Sequence, residues 1–214
     1  MSTHLPKVRN PFFARVYVWL MRGEDREAMA HRQEMLEGLS GRVLEVGCGN
    51  GGNFGHYPST VTEVVAVEPE PYLRAHAERA APDAPVPIRV VEGVAEQLPA
   101  QDGEFDGVVA SLVLCSVTDQ GRVLREMRRV LRPGGELRFY EHVAAHEPRL
   151  TRIQRLFDRT FWPHVSGNCH TSRDTGAAIE EAGFVMERQR RLSYQPCALV
   201  FAVAPHILGV ARRP

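Results

Sequence analysis

The glycine-rich stretch 43-VLEVGCGNGGNF-54 contains residues whose types and spacing point to ligand binding. Gly47 and Gly49 follow a hydrophobic run that carries one acid, Glu45. Glycines permit a tight turn and let a ligand approach the backbone closely. Glu68 ends a second hydrophobic run, where a carboxylate can accept hydrogen bonds from two ribose hydroxyls. The pattern therefore predicts a site for a nucleotide-like ligand.

Two kinds of ligand fit these glycines. Gly47, Gly49 and Gly52 match the G-x-G-x-x-G fingerprint of dinucleotide-binding folds, so a nicotinamide dehydrogenase is one alternative. The first strand of such folds is normally apolar, whereas Glu45 lies in it here, and a carboxylate suits a ligand with a positive end. A chain of 214 residues is also short for a second nucleotide-binding half plus a substrate domain. These observations favour a ligand such as S-adenosylmethionine.

The hydrophobic pattern predicts the elements that must position these residues. Strand-like runs alternate with helical patterns, which is typical of a parallel sheet with helices on both faces. Five such strands are predicted at 42–46, 63–68, 87–92, 106–114 and 136–143. Helices are predicted at 12–22, 24–39, 70–81, 120–131, 149–160 and 174–182. Two last strands, 184–192 and 197–205, are close in sequence and must pair antiparallel.

Composition and charge limit the kinds of partner and the cellular compartment that we expect. The chain has 26 basic and 26 acidic residues, so its charge favours neither nucleic acid nor an anionic membrane. The N-terminal segment has no signal-peptide pattern, and no stretch is long and apolar enough to predict a membrane span. We therefore expect a cytoplasmic protein that acts on a small molecule.

The cysteines and histidines predict neither disulfides nor a metal site. The four cysteines have no C-x-x-C or paired spacing, so reduced thiols are expected. These cysteines are Cys48, Cys115, Cys169 and Cys197. His164, Cys169 and His170 lie close in sequence, but their spacing is not typical of metal ligands, and no metal is predicted.

The order of the sequence motifs resembles that of a known protein family. VLEVGCGNG, VEPEP, GVAEQLP, FDGVV and LRPGG follow one another as in class I S-adenosylmethionine-dependent methyltransferases, which the chain resembles over 42–143. NFGHYP, LVLCSV, EHVA, C-x-x-x-R-D-T and PHILG are similar to the methyltransferase-like seven group, whose animal members are thiol S-methyltransferases. Those animal proteins have a hydrophobic N-terminal membrane anchor, which the pattern of this sequence does not predict.

The resemblance implies an α/β, Rossmann-like fold. Its seven-stranded, mostly parallel sheet has the order 3-2-1-4-5-7-6, with strand 7 antiparallel. The whole chain, 1–214, is then a single methyltransferase domain. Its parts are an N-terminal helical lid at 1–40, a cofactor-binding core at 41–145 and a region at 146–214 that contains a substrate loop and the last strand pair.

The resemblance also implies S-adenosylmethionine as cofactor and S-adenosylhomocysteine as product. In many families of this fold an acid stands where this chain has Val94, so the adenine contact falls to the backbone of Ala95. The residues assigned to the cofactor are Glu45, Gly47, Cys48, Gly49, Asn53, Glu68, Pro69, Gly93, Val94, Ala95 and Ser111.

The acceptor side is predicted from the resemblance and from residue chemistry. His142 ends the fifth strand and titrates near neutrality, so it is the candidate catalytic base, although a hydrogen bond within its loop is an equal alternative. Residues assigned to the substrate are Phe13, Tyr17, His164, His170 and Arg173. The first expectation for the acceptor is a small thiol. The alternatives are O- or N-methylation of a lipid or secondary metabolite, or a non-catalytic S-adenosylmethionine-binding protein.

Overall fold

A computed structural model describes residues 10–21, 23, 26–195 and 198–214, and these form a seven-stranded sheet covered by helices. Cys197 and the first residues of the expected lid, 1–9, lie outside the described residues. The strands are β1 Gly41–Val46, β2 Val61–Val67, β3 Ile88–Val91, β4 Phe105–Ser111, β5 Leu131–His142, β6 Val185–Ser193 and β7 Pro205–Arg212.

Six of the seven described α-helices lie close to their predicted positions, whereas the short helix at Trp162–Val165 is not predicted from the sequence. The seven helices are α1 Pro11–Met21, α2 Arg26–Leu36, α3 Pro71–Ala80, α4 Gln120–Val130, α5 Pro148–Arg159, α6 Trp162–Val165 and α7 Thr175–Glu181. Acidic N-caps begin three of them, because Glu70, Asp119 and Asp174 each accept a hydrogen bond from the amide three residues on, at 2.9, 2.9 and 3.2 Å. Of the described helices, none is long and apolar enough to cross a membrane.

The sheet has the predicted order, β3-β2-β1-β4-β5-β7-β6. Strands β1 to β5 are parallel, whereas β7 runs antiparallel between β5 and β6. The carboxyl ends of β1, β2 and β4 therefore meet at one edge of the sheet, beside the point where the strand order reverses.

The predicted strand at 197–205 is wrong. Ala198–Val203 is a 3-10 helix, and the last strand follows it at Pro205–Arg212. Both segments are apolar runs, and a short apolar run by itself does not distinguish a strand from a buried helical turn. The strand is the segment that becomes buried on both faces, since six consecutive residues of β7, 206–211, are buried.

Side chains of β1 alternate between two hydrophobic clusters, one on each face of the sheet. Leu44 belongs to one cluster, whereas Val43 belongs to the other together with Phe54 and Tyr57. Glu45 lies on the same face as Val43, so the strand turns this carboxyl towards the segment after the glycine loop and away from solvent.

Gly209 lets β7 fit between its neighbours, and its replacement tests this part of the sheet. A Cβ added there would lie 2.2 Å from the carbonyl oxygen of Arg188 and 2.6 Å from Cζ of Phe139. We expect Gly209→Ala to lower the free energy of unfolding by about 1–3 kcal/mol or more, the usual cost of overpacking, measured by urea unfolding. Gly55→Ala is the matched control, because its Cβ would meet no atom within 4 Å. Equal stability of the two variants would contradict the packing described for β7.

Candidate active site

A cavity of about 560 Å³ opens at the carboxyl edge of the sheet. Its walls are the loop after β1, the end of β2, the 93–96 segment, the exit of β4, helix α1 and the 163–168 segment. Another depression, of about 640 Å³, lies between α3 and β3, but its lining contains one charged residue, Glu78, among alanines, prolines and aliphatic residues. Convergent polar groups therefore mark the first cavity as the candidate site.

The glycine loop presents backbone to this cavity. Gly47 and Gly49 have φ angles of 67° and 58°, which only glycine adopts readily. A Cβ on Gly47 would also lie 2.5 Å from Cγ2 of Val113. The amides of Gly47 and Cys48 both donate to the carbonyl of Val67, at 2.8 and 3.1 Å, and this fixes the loop to the end of β2.

Glu68 lines the cavity and keeps acceptor capacity for a ligand. Its carboxylate accepts from the amide of Gly49 at 2.8 Å and from the amide of Glu70 at 2.9 Å. A carboxylate has about four lone-pair sites, so two remain for hydroxyl donors. Burial raises the pKa of Glu68 to about 7, although the two amide hydrogen bonds oppose the increase.

Glu45 lies outside the cavity lining, which differs from the predicted contact with the cofactor. Its carboxyl accepts hydrogen bonds from Asn53 Nδ2 at 2.7 Å and from the Tyr57 hydroxyl at 2.8 Å. Arg32 donates to the side-chain oxygen of Asn53 at 2.7 Å. Burial raises the pKa of Glu45 to about 7, while these hydrogen bonds and the nearby guanidinium lower it. The carboxyl thus supports the glycine loop from within the core.

Most residues assigned to the cofactor lie around the cavity. Cys48 and Asn53 lie outside the lining with Glu45, because both are buried beneath the loop. The assigned residues that line it are Gly47, Gly49, Glu68, Pro69, Gly93, Val94, Ala95 and Ser111.

Helix α1 closes the cavity by packing aromatic rings on glycines. A Cβ on Gly49 would lie 3.4 Å from the Tyr17 ring, and a Cβ on Gly167 would lie 2.6 Å from Cε1 of Phe13. Both aromatic residues line the cavity, with ring centroids 5.8 Å apart. The helix therefore bridges the glycine loop and the segment that contains His164, another residue assigned to the substrate that lines the cavity.

Arg173 and His170 lie outside the lining and hold the wall together. The Arg173 guanidinium donates to the carbonyls of Leu114 and Val117, at 2.6 and 2.7 Å. The His170 amide donates to the carbonyl of Cys115 at 2.8 Å. This placement differs from the predicted contact with substrate, since both residues join the loop near 170 to the 112–117 segment.

Glu141 anchors the same segment from the end of β5. Its carboxylate accepts from three consecutive amides, at 113, 114 and 115, with distances of 2.9, 2.9 and 3.1 Å.

Two cavity residues that sequence reasoning missed, Leu112 and Asn168, have positive φ angles of 58° and 67°. Positive φ is unusual for residues other than glycine and is concentrated at functional sites, but hydrophobic periodicity gives no sign of it.

His142 lies behind the cavity wall and outside its lining. Its Nδ1 is 3.5 Å from Sγ of Cys115 and 3.5 Å from Sγ of Cys169. Burial lowers the pKa of His142, but Cys169 and Glu141 raise it more, so the net shift is upward. The ring also packs against His206 at 4.5 Å between centroids. The two thiols and the imidazole form a group with ligand atoms suited to a metal ion.

Sequence comparisons identify similar proteins along nearly the whole chain. The model of the methyltransferase domain family matches residues 44–139. Thiol S-methyltransferase TMT1B of Mus musculus is 37% identical, over 98% of this chain and 86% of that protein. Thiol S-methyltransferase TMT1A of Homo sapiens is 36% identical, over 93% of this chain and 82% of that protein.

Solved structures share the fold at low sequence identity. An S-adenosylmethionine-dependent methyltransferase from Mesorhizobium loti aligns with a TM-score of 0.66 and 22% identity, over 90% of this chain and 100% of that protein. A geranyl diphosphate methyltransferase, solved with geranyl diphosphate and sinefungin, aligns with a TM-score of 0.69 and 18% identity, over 96% and 84%.

The buried carboxyl of Glu45 predicts a pH-dependent stability. Its pKa in the folded protein, about 7, lies above its ordinary value. The buried charge therefore destabilises the fold most above pH 7, and this destabilisation disappears as the pH falls towards 4.5. We expect the wild type to become more stable relative to Glu45→Gln as the pH falls from 8 to 5. The change in the free energy of unfolding should be on the order of 3 kcal/mol at most, since one pKa unit corresponds to about 1.4 kcal/mol. Urea unfolding at both pH values measures it.

Glu78→Gln is the control for this comparison, because Glu78 is an exposed carboxyl on α3. Its stability relative to the wild type should be nearly the same at both pH values. If the stability of Glu45→Gln relative to the wild type were also nearly the same at both pH values, Glu45 would not carry a buried charge at pH 8.

Proposed function

The chain belongs to the class I S-adenosylmethionine-dependent methyltransferases, and from this premise we propose that it methylates a small apolar thiol on sulfur. The observation that carries the proposal is the 37% identity to a thiol S-methyltransferase over 98% of the chain. This similarity extends beyond the cofactor-binding motifs to the segments that build the other half of the cavity.

The residues around the cavity fit S-adenosylmethionine. We assign the ribose hydroxyls to the two remaining acceptor positions of Glu68. Gly47 and Gly49 are assigned to close backbone contact with the amino acid end, because both line the cavity and have no side chain. The 93–95 segment is assigned to the adenine. When bound, this cofactor supplies an electrophilic methyl group on a sulfonium ion.

Glu45 is assigned a positioning role in this site. The carboxyl contacts Asn53 and Tyr57 and does not line the cavity. Its hydrogen bonds hold the start of the segment that follows the glycine loop, so its effect on the cofactor passes through the backbone of that loop.

Apolar side chains form part of the acceptor half of the cavity, beside the polar residues Ser116, Thr118, His164 and Asn168. Phe13, Tyr17, Val113, Val117 and Pro163 contribute to it. A thiolate and a sulfonium ion give neutral products, so the transition state loses charge and an apolar, water-poor wall does not penalise it. The chain contributes mainly by holding the acceptor in line with the methyl group, which can supply much of the rate enhancement.

The expected base, His142, is not assigned to proton transfer from the acceptor, because its Nδ1 faces two thiols behind the wall. A free thiol has a pKa of about 8.5, so a minor fraction is ionised at neutral pH without help. His164 is a histidine that does line the cavity.

We also propose that the acceptor is a free small molecule in the cytoplasm and that nucleic acid is not a substrate. The equal numbers of acidic and basic residues support this. The described cysteines are free thiols, which suits a reducing compartment.

Glu68→Gln tests the cofactor assignment. We expect S-adenosylhomocysteine to bind this variant about 1–3 kcal/mol more weakly at pH 8, the usual range for hydrogen bonds to a charged group. Because the hydroxyl donors favour the carboxylate, wild-type affinity should also rise between pH 6 and pH 8, through the pKa of about 7, and the variant should lose this dependence. Isothermal calorimetry measures both effects.

Glu92→Gln is the matched control for Glu68→Gln, since Glu92 follows the neighbouring strand β3 and its side chain is 76% exposed. It should bind S-adenosylhomocysteine like the wild type. NAD, the ligand of a dinucleotide-binding alternative, should give no heat. An unchanged dissociation constant in folded Glu68→Gln would refute the ribose assignment.

An acceptor screen tests the thiol. With S-adenosylmethionine present, small apolar thiols should give the S-methylated product by mass spectrometry, and phenols and amines of similar size should not. Phe13→Ala should raise the KM for the best thiol by about tenfold, the equivalent of 1.4 kcal/mol, and leave S-adenosylhomocysteine affinity unchanged. Phe12→Ala is its control, because Phe12 is adjacent on α1 and 73% exposed.

The screen tests the proposed substrate independently of the enzyme class. If a phenol or amine reacts and no thiol does, the thiol proposal falls and O- or N-methylation replaces it. If no acceptor reacts although S-adenosylhomocysteine binds tightly, a non-catalytic cofactor-binding role is favoured.

A further inference from the structure

Three side chains from distant parts of the sequence meet behind the acceptor wall. Cys115 lies in the segment after β4, His142 ends β5, and Cys169 lies in the loop before α7. Their two sulfurs and one ring nitrogen all lie within 4.8 Å of one another. Cys115 is 1% exposed and Cys169 is 4% exposed, so both thiols are withdrawn from solvent.

The two nitrogen–sulfur distances in this cluster match a tetrahedral zinc site. Zinc binds thiolate sulfur at about 2.3 Å and imidazole nitrogen at about 2.0–2.1 Å, so a tetrahedral ion separates the two kinds of ligand atom by about 3.5–3.6 Å. His142 Nδ1 is 3.5 Å from the sulfur of Cys115 and 3.5 Å from that of Cys169. Two cysteines and one histidine are also a known ligand set for zinc.

The Cys115 sulfur also lies 3.5 Å from Oγ of Ser116, and the two thiols interact with each other, but the His142 nitrogen cannot bond to both sulfurs at once. In either tautomer, Nδ1 of His142 carries one proton or one lone pair, so it can pair with one thiol at a time. Both sulfurs nevertheless point at it from the same distance. A cation between the three atoms bonds to all of them, and two thiolates balance its double charge inside the core.

The three segments are already held in place by their own hydrogen bonds. Glu141 fixes the amide of Cys115 at 3.1 Å. Across the loop, the side-chain amide of Asn168 donates to the carbonyl of Ser116 at 2.6 Å, and Arg173 donates to the carbonyl of Leu114 at 2.6 Å. Such supporting contacts orient ligands before a metal ion binds, which is how metal sites gain affinity.

We propose that Cys115, His142 and Cys169 form a binding site for a Zn²⁺ ion. Among the described residues the group contains three ligand atoms, and we assign the fourth tetrahedral position to water or an added ligand. The ion ties the end of β5, the 112–117 segment and the 162–174 loop together. Ser116 and Asn168, the neighbours of the two cysteines, line the cavity, and the metal thereby fixes the shape of the acceptor wall.

Metal content of the full chain tests the proposal without any substrate. Protein purified in reductant without chelator should contain one zinc per chain by plasma mass spectrometry. Metal-free protein should take up one equivalent of Co²⁺, with the charge-transfer band of cobalt thiolate and the visible bands of tetrahedral cobalt. Cys115→Ser, Cys169→Ser and His142→Ala should each weaken Zn²⁺ binding by more than about 100-fold, since even outer partners of a site cost 10–100-fold.

Cys48→Ser is the matched control, because Cys48 is also a buried free thiol but lies outside the cluster. It should keep its zinc. X-ray absorption at the zinc edge of the wild type requires no variant, and it should show two sulfur ligands and at least one nitrogen ligand, so misfolding of a variant leaves the test intact.

Several outcomes would overturn the proposal. One is reduced wild-type protein that takes up neither Zn²⁺ nor Co²⁺, or a zinc-edge spectrum without sulfur ligands. Another is equal loss of zinc in Cys48→Ser and Cys115→Ser. A third is protein that carries a Cys115–Cys169 disulfide when purified without reductant and binds no metal once reduced. Because no acceptor is used, each result is independent of the thiol screen.

Discussion

Buried carboxylates that hold backbone amides at the carboxyl edge of the sheet are the interaction on which the cavity depends. Glu68 accepts from the amide of Gly49, and Glu141 accepts from the three amides at 113–115. Glu45 supports the glycine loop in a similar way through side chains. Burying a carboxylate is costly unless such donors surround it, so loop conformation and carboxylate burial stabilise each other.

The position of helix α1 also depends on those fixed loops. Helix α1 contacts the cavity walls through Tyr17 over Gly49 and Phe13 over Gly167. An aromatic ring can rest on a glycine only where the backbone already holds its position and no side chain intervenes. Gly49 thus donates its amide to Glu68 and also contacts α1, so the helix and the carboxylate proposed to bind ribose rest on the same residue.

The sequence predicts the fold well and identifies many residues that line the cavity, because both depend on local patterns. Alternating strands and helices, the glycine loop and the acid after β2 are contiguous signals, and the family resemblance supplied the sheet order. The position of β7 could not be read from two adjacent apolar runs. The meeting of Cys115, His142 and Cys169 depends on three segments that only the folded sheet brings together, and the burial of Glu45 depends on Tyr57, which periodicity does not pair with it.

A protein that binds an electrophilic methyl donor must also keep its own thiols unreactive, since the thiolate is the nucleophile. Cys48 adjoins Gly47 and Gly49 but is 5% exposed, and burial together with the charges of Glu45 and Glu68 raises its pKa well above the ordinary value. It therefore stays a neutral thiol in the core. Cys115 and Cys169 lie behind the acceptor wall and are buried, so the protein interior separates both sulfurs from the methyl group. The burial of these three cysteines thus separates the protein's own thiols from the site proposed for an external thiol.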